Sequence, residues 1–189
     1  MGGVGLMRHV RRAGRYHRVA DPAWEDPLSG EFSRVRGGRW NAPGTFPIVY
    51  LNRDLMTARA FVRQKFRGQP YGPELLRDDR APVLVTTEVP DDDYIDALSD
   101  EGCRELGLPI TYPRDDAGKA MPWQACQPIG RRAWDAGEPG IACRSAALPE
   151  GGEELAYFSR PARPLVAADR LSFRDWFWAD RRGGRKSEP

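Results

Sequence analysis

Cysteine is scarce in this 189-residue chain, and Cys103, Cys126 and Cys143 show no C-x-x-C spacing. Three thiols so placed exclude a disulfide framework and fit reduced, buried or half-buried side chains in a cytoplasmic protein. A cysteine nucleophile is the alternative. Histidine is scarcer still, with only His9 and His17. A zinc site needs four ligands, and both histidines lie far from the cysteines, so no metal is expected. Long apolar runs are missing. None approaches the roughly 18 residues that span a bilayer, which excludes a membrane-spanning helix. The start of the chain has charge but no apolar stretch of the signal-peptide kind, so the expected localisation is cytoplasmic. Net charge is also low, at +2, which argues against a nucleic-acid binder driven by bulk charge.

What is present is a composition able to build a core: 40% of residues are hydrophobic, too many for a disordered chain. The length suits one domain. Arginines crowd the two ends (Arg8, Arg11, Arg12, Arg15 and Arg18; Arg181, Arg182 and Arg185). We expect a loose basic arm over 1–14, a domain over 15–160, an aromatic extension over 161–180 and a flexible basic tail over 181–189. In the extension, Phe173, Trp176 and Phe177 share one helical face and need cover, from the domain or from a partner.

Within the domain, Phe46 to Leu51 and Pro82 to Val89 are β-branched and aromatic and read as strands. Arg15 to Ala20, Gly140 to Ser145 and Leu155 to Phe158 read as shorter ones. Asp54 stands where a helix cap is expected, and Leu55 to Phe66 carries helical apolar spacing. Ser99 to Leu106 and Pro122 to Gly137 read as further helices, the second interrupted at Pro128. Asp91, Asp92 and Asp93 read as a solvated turn or cap. Strands and helices without a regular β-α-β rhythm predict a single compact α+β domain with a split, twisted sheet.

Four stretches carry a resemblance. They are Tyr16-His17-Arg18-Val19-Ala20-Asp21-Pro22 with Pro27-Leu28-Ser29-Gly30; Gly37-Gly38-Arg39-Trp40-Asn41-Ala42-Pro43-Gly44-Thr45 running into Ile48-Val49-Tyr50-Leu51; Gln127-Pro128-Ile129-Gly130 and Trp134 leading to Gly140-Ile141-Ala142-Cys143-Arg144-Ser145-Ala146; and Glu154-Leu155-Ala156-Tyr157-Phe158. In this order, over about 15–160, they resemble the RES domain, named for an Arg, a Glu and a Ser. The resemblance implies a fold like the diphtheria-toxin-like ADP-ribosyltransferases. It implies a bacterial toxin that consumes NAD by phosphorolysis or hydrolysis, or transfers its ADP-ribose, with NAD as substrate and no metal. It also implies neutralisation by an Xre-type antitoxin encoded alongside. The reading admits a homo-oligomer and includes no membrane and no direct nucleic-acid contact.

The residues have their own chemistry. Arg39 offers a rigid fork suited to a diphosphate, or to a structural salt bridge. Arg18 is a second phosphate candidate, or one more arginine of a basic arm. Trp40 could stack on a flat ring or plug the core. Asn41 fits a turn or a polar pocket wall. Tyr50 fits packing by its ring, and the resemblance implies stacking on nicotinamide or a bond to ribose. Ser145 lacks a histidine base, so a donor to the ribose suits it better than a nucleophile. The resemblance thus implies Arg39, Tyr50 and Ser145 as catalytic, with Arg18, Trp40 and Asn41 joining them around NAD.

One name residue is missing. The resemblance puts the family Glu eleven residues past Tyr50, on the following helix, and that position is Phe61. Glu31, Glu74 and Glu88 are the nearest substitutes considered, with Glu74 favoured for its loop after the helix. The rival reading is therefore a catalytically silent module that binds NAD or a nucleotide. A third, a nucleic-acid binder acting through the basic ends, predicts strongly salt-dependent binding.

Overall fold

The structure, a computed structural model, describes residues 7–179. It is a single α+β domain. In chain order the elements are β1 (His9–Ala20), α1 (Glu31–Arg36), β2 (Ile48–Asn52), α2 (Leu55–Gln64), a 3-10 turn (Pro73–Leu75), β3 (Val83–Ala97), α3 (Asp100–Glu105), α4 (Trp123–Asp135), β4 (Gly140–Arg144), β5 (Glu153–Phe158), β6 (Ala167–Leu171) and α5 (Phe173–Trp176).

The sheet runs β1-β2-β5-β4-β3-β6, and β1 also pairs with β3. Five strands therefore close a ring of pairings, with β6 added on the outside of β3. Only β3–β4 is parallel. The expected split is not a break in the pairing. Instead β1 and β3 are long enough to belong to both halves: β3 pairs with β4 near its end and with β6 near its start. Tyr16, Val49, Leu51, Val85, Val89, Ala142, Leu155 and Tyr157 come from all five ring strands and form one core. On the other face, Ile48, Ile141, Ala156 and Phe158 pack against Cys103 of α3 and Cys126, Ile129 and Ala133 of α4. All three thiols are free and buried.

Two sequence expectations fail together, for one physical reason. The described part of the expected loose arm is strand from His9 onward, and the three aspartates lie within β3 rather than in a turn. Arg11 stands opposite Asp93 and Arg12 opposite Asp92 in the ladder. Arg11 contacts Asp91 at 2.9 Å and Asp93 at 3.7 Å, while Arg12 pairs with Glu153 of β5 at 2.8 Å and Asp92 with Arg163, so both charged runs find their counter-charges within the fold.

Pro128 does not break α4, which runs through it. Asp54 caps α2 as expected, accepting from the Thr57 N–H at 2.7 Å. The aromatic extension packs on the domain: Phe173, Trp176 and Phe177 are buried with Ala58 and Val62 of α2 and Leu84 of β3. The expected basic tail over 181–189 lies outside the described residues.

Candidate functional site

A cleft of about 690 Å³ opens between β2, α2 and the Gly37–Asn41 turn. Its lining includes Arg18, Trp24, Phe32, Arg39, Tyr50, Asn52, Phe61, Lys65, Arg80, Trp123 and Glu154.

The turn that carries Arg39 is built by the second and third sequence motifs together. Gly38 N–H donates to the Asn41 carbonyl at 2.8 Å. Gln127 Nε2 on α4 donates to the Gly38 and Asn41 carbonyls at 3.0 and 3.3 Å. Gly130, one helical turn on, lets α4 come so close that a Cβ there would sit 1.8 Å from the Trp40 carbonyl oxygen. Gly38 plays the same part toward Tyr50, whose hydroxyl would lie 2.4 Å from an added Cβ. Glycine is required at both positions because backbone or ring fills the space a side chain would take.

Tyr50 is thereby latched. Its hydroxyl accepts from the Trp40 N–H at 3.0 Å and donates to Asn41 Oδ1 at 2.9 Å. Asn41 is fully buried and spends its amide on the Ser33 and Phe46 carbonyls. Burial pushes the Tyr50 phenol well above its ordinary pKa, so it stays protonated. The Tyr50 hydroxyl is committed to this latch, and its half-buried ring is among the groups lining the cleft.

Arg39 is the cation set on this turn. It forms no ion pair among the described residues, and its Nη1 is buried without a hydrogen-bond partner. The guanidinium lies 5.8 Å from the centre of the Tyr112 ring. Arg18 is buried, donates to the Ser29 carbonyl at 2.9 Å and lies 5.1 Å over Trp24. Burial brings its pKa down to about 10, opposed by Asp26, which leaves it charged at neutral pH. Lys65 and Arg80 complete four cleft cations, none in an ion pair among the described residues.

The six residues singled out from sequence divide in two. Arg18, Arg39 and Tyr50 line the cleft. Trp40, Asn41 and Ser145 are fully buried behind it and do not line it. Trp40 is packed in the core beside Tyr112, with ring centres 5.9 Å apart. Ser145 Oγ accepts from the Ala147 and Leu148 N–H groups at 3.2 Å each and donates to Glu154 Oε1 at 2.6 Å. Its hydroxyl is fully engaged within the protein.

The RES domain family model matches residues 10–179. This chain belongs to the RES domain family. Over 112 residues it is 30% identical to the NAD(+) phosphorylase MbcT of Mycobacterium tuberculosis, and equally to that of Mycobacterium bovis. Each match covers 59% of this chain and 57% of the relative, so the chain spans a little over half the length of the curated relatives it matches. The crystal structure of the M. tuberculosis MbcT–MbcA toxin–antitoxin complex superposes with a TM-score of 0.69 at 24% identity, covering 89% of this chain and 91% of that one. That likeness establishes a shared fold.

In this RES domain the acids considered from sequence stay out of the cleft. Glu31 pairs with Arg34, Glu88 pairs with Arg15, and Glu74 is exposed on the 3-10 turn. None of the three lines the cleft, whereas Phe61 does, from α2. The carboxylate that sequence reasoning missed is Glu154. The β2–β5 register sets Glu154 opposite Asn52 and Ala156 opposite Tyr50, so Tyr50, Asn52 and Glu154 share one sheet face. Burial pushes the Glu154 carboxyl above its ordinary pKa, while the Ser145 hydroxyl and the Arg39 charge pull the other way. A signal was there to read: Glu154 alternates with Ala156 and Phe158 on a core face, where a carboxylate needs a reason.

Proposed function

We propose that this chain is an NAD-consuming RES-domain toxin that breaks the bond between nicotinamide and ribose, with phosphate as the acceptor. The observation that carries the reading is the set of four cations, Arg18, Arg39, Lys65 and Arg80, facing one cleft, none of them in an ion pair among the described residues. A dinucleotide brings two phosphates, and a guanidinium fork not already spent on a carboxylate suits them. The aromatic lining of Trp24, Phe32, Tyr50, Phe61 and Trp123 suits its two flat rings. The named activity of the MbcT relatives supports phosphate over water as acceptor. The likeness to diphtheria-toxin-like ADP-ribosyltransferases belongs to the same proposal, supported by the mixed sheet that presents Tyr50 and Glu154 beside Arg39.

As toxin, the chain acts in the cytoplasm and is held in check by an antitoxin of Xre type. The solved complex of a structural neighbour with its antitoxin supports such a partner. Exposed Phe32 and Trp123 at the cleft offer it apolar contact. No helix among the described residues is long and apolar enough to cross a membrane.

The test is calorimetry with NAD, followed by product identification after incubation in phosphate buffer. Wild type should bind NAD and release nicotinamide. Arg39→Ala should weaken binding by about tenfold to a hundredfold, the worth of hydrogen bonds to a charged group. Arg39→Lys should not restore it, because a point charge lacks the fork. Equal affinity of Arg39→Ala and wild type would remove Arg39 from the site.

A further inference from the structure

Two carboxylates line the cleft, Asp21 and Glu154. Asp21 is exposed and its Oδ1 accepts from the Ala23 N–H at 2.9 Å, closing a local turn at the rim. Glu154 sits on a central ring strand, beside Asn52 and two residue pairs along the ladder from Tyr50. Ser145 fixes its Oε1 at 2.6 Å, and two backbone N–H groups fix Ser145 in turn. Ser145 is itself held by its N–H to the Gly152 carbonyl at 2.9 Å, and Gly152 returns to the Leu148 carbonyl at 2.9 Å. The loop between β4 and β5 is thus a bracket for one carboxylate. Arg39 is near enough to act on that carboxylate electrostatically, yet no nitrogen of it comes within the 4.0 Å of an ion pair. The two opposite charges stay separate in one water-accessible cleft.

We propose that Glu154 is the carboxylate that acts on the glycosidic bond, from the strand wall, with Ser145 as its positioning residue. This rests on the reading that the cleft takes NAD. In the step, the bond from ribose C1′ to the nicotinamide nitrogen breaks. Its electron pair leaves with nicotinamide, whose ring loses its positive charge. A phosphate oxygen forms the new bond to C1′, giving nicotinamide and the 1-phosphate of ADP-ribose, with no change of oxidation state. Ionised Glu154 faces the positive charge that develops on the ribose. It also takes the proton of an incoming monoanionic phosphate and passes it to solvent.

The experiment uses the purified full chain, with NAD affinity by calorimetry and turnover in phosphate by nicotinamide release. Glu154→Gln keeps the acceptor for Ser145 and removes the charge. Its NAD affinity should stay within about threefold of wild type, while turnover falls about a hundredfold or more, as for loss of one transition-state electrostatic partner. Wild-type turnover should rise with pH as Glu154 ionises. In Ser145→Ala that rise should move to higher pH, because the hydroxyl favours the ionised form; a merely structural serine would not move it. Should Glu154→Gln fail to give a cooperative melt, Glu154→Asp, which withdraws the same charge by one methylene, should show the same split of affinity from turnover. Turnover in folded Glu154→Gln within threefold of wild type overturns the proposal and leaves the NAD reading intact. Wild type that binds NAD without consuming it also overturns the proposal. Wild type that does not bind NAD overturns both.

Discussion

The cleft has two walls of different construction. Each residue of the sheet wall, Tyr50, Asn52 and Glu154, is tied by its side chain: Tyr50 to Asn41 and the Trp40 N–H, Asn52 Nδ2 to the His17 carbonyl at 3.3 Å, Glu154 Oε1 to Ser145. The helix wall offers Phe61, Val62 and Gln64 from α2 and Lys65 from its C-cap. Lys65 Nζ lies 4.7 Å from the Phe61 ring centre, and Gln64 reaches the Ala146 carbonyl at only 3.5 Å. A group whose position must be held to a fraction of an ångström is better placed on the first wall than on the second. The helix wall shapes the cleft; the sheet wall fixes polar groups. Changes behind the sheet wall should therefore be costly, and changes on the helix wall cheap.

The largest effect should come from Gly130→Ala. It touches no cleft atom, but its Cβ would meet the Trp40 carbonyl at 1.8 Å and push α4 off the turn that latches Tyr50. Overpacking of this kind costs about 1–3 kcal/mol. In a chain of this length that is a fall in melting temperature of roughly 2–12 °C. NAD affinity should fall with it, since Arg39 rides on the same turn. An unchanged melting curve would show the turn to be adjustable and would break the contrast between the walls.

Phe61→Glu should do much less to the fold. The ring is half-buried and faces the cleft from α2, so a carboxylate there can reach water. A folded protein with a melting temperature within about 4 °C of wild type is expected, a cost near 1 kcal/mol. Collapse of the fold would instead mark Phe61 as core, where an unpaired charge costs far more. With Glu154 intact, the added acid should change turnover only modestly.

How far this was legible depended on where each residue's partner lies. Strands β2, β4 and β5 showed in β-branched and aromatic runs, and α2 in its cap and spacing, because those signals are local. The start of β1 did not show, since Arg11 and Arg12 look solvated until Asp91 and Asp93 meet the first, some 80 residues on, and Glu153 meets the second, 141 residues on. β6, Ala-Ala-Asp-Arg-Leu, is mostly exposed and has no apolar alternation to read. The cleft is similar. Arg39 and Tyr50 were visible through glycine, turn and strand patterns. Ser145 was visible as a motif residue but not as the bracket for Glu154, a relation that exists only once the β4–β5 loop folds back. Phe61 was visible as a missing acid, while the sheet-wall acid that lines the same cleft lies 93 residues later, on β5.

The smallest expected effect bears on what the sheet wall spends to hold a carboxylate. Burial raises the folded pKa of Glu154 above its unfolded value, which lies near about 4.3. Between those two values the folded state binds a proton that the unfolded state has released. Stability therefore falls as pH rises through that window and then stays lower by a constant amount. Below the unfolded pKa both states are protonated and the penalty vanishes. Glutamine does not titrate. Glu154→Gln should thus melt higher than wild type at pH 7–8. The advantage should shrink toward zero as the pH is lowered to about 4, near the unfolded value. Melting curves of the two proteins from pH 4 to pH 8 check this. A gap that does not change with pH would mean that the carboxylate is as well solvated folded as unfolded. A gap of opposite sign at neutral pH would mean that Ser145 and Arg39 outweigh burial. The sheet wall would then hold its charge at no cost to the fold, and the contrast with the helix wall would be one of hydrogen bonding alone.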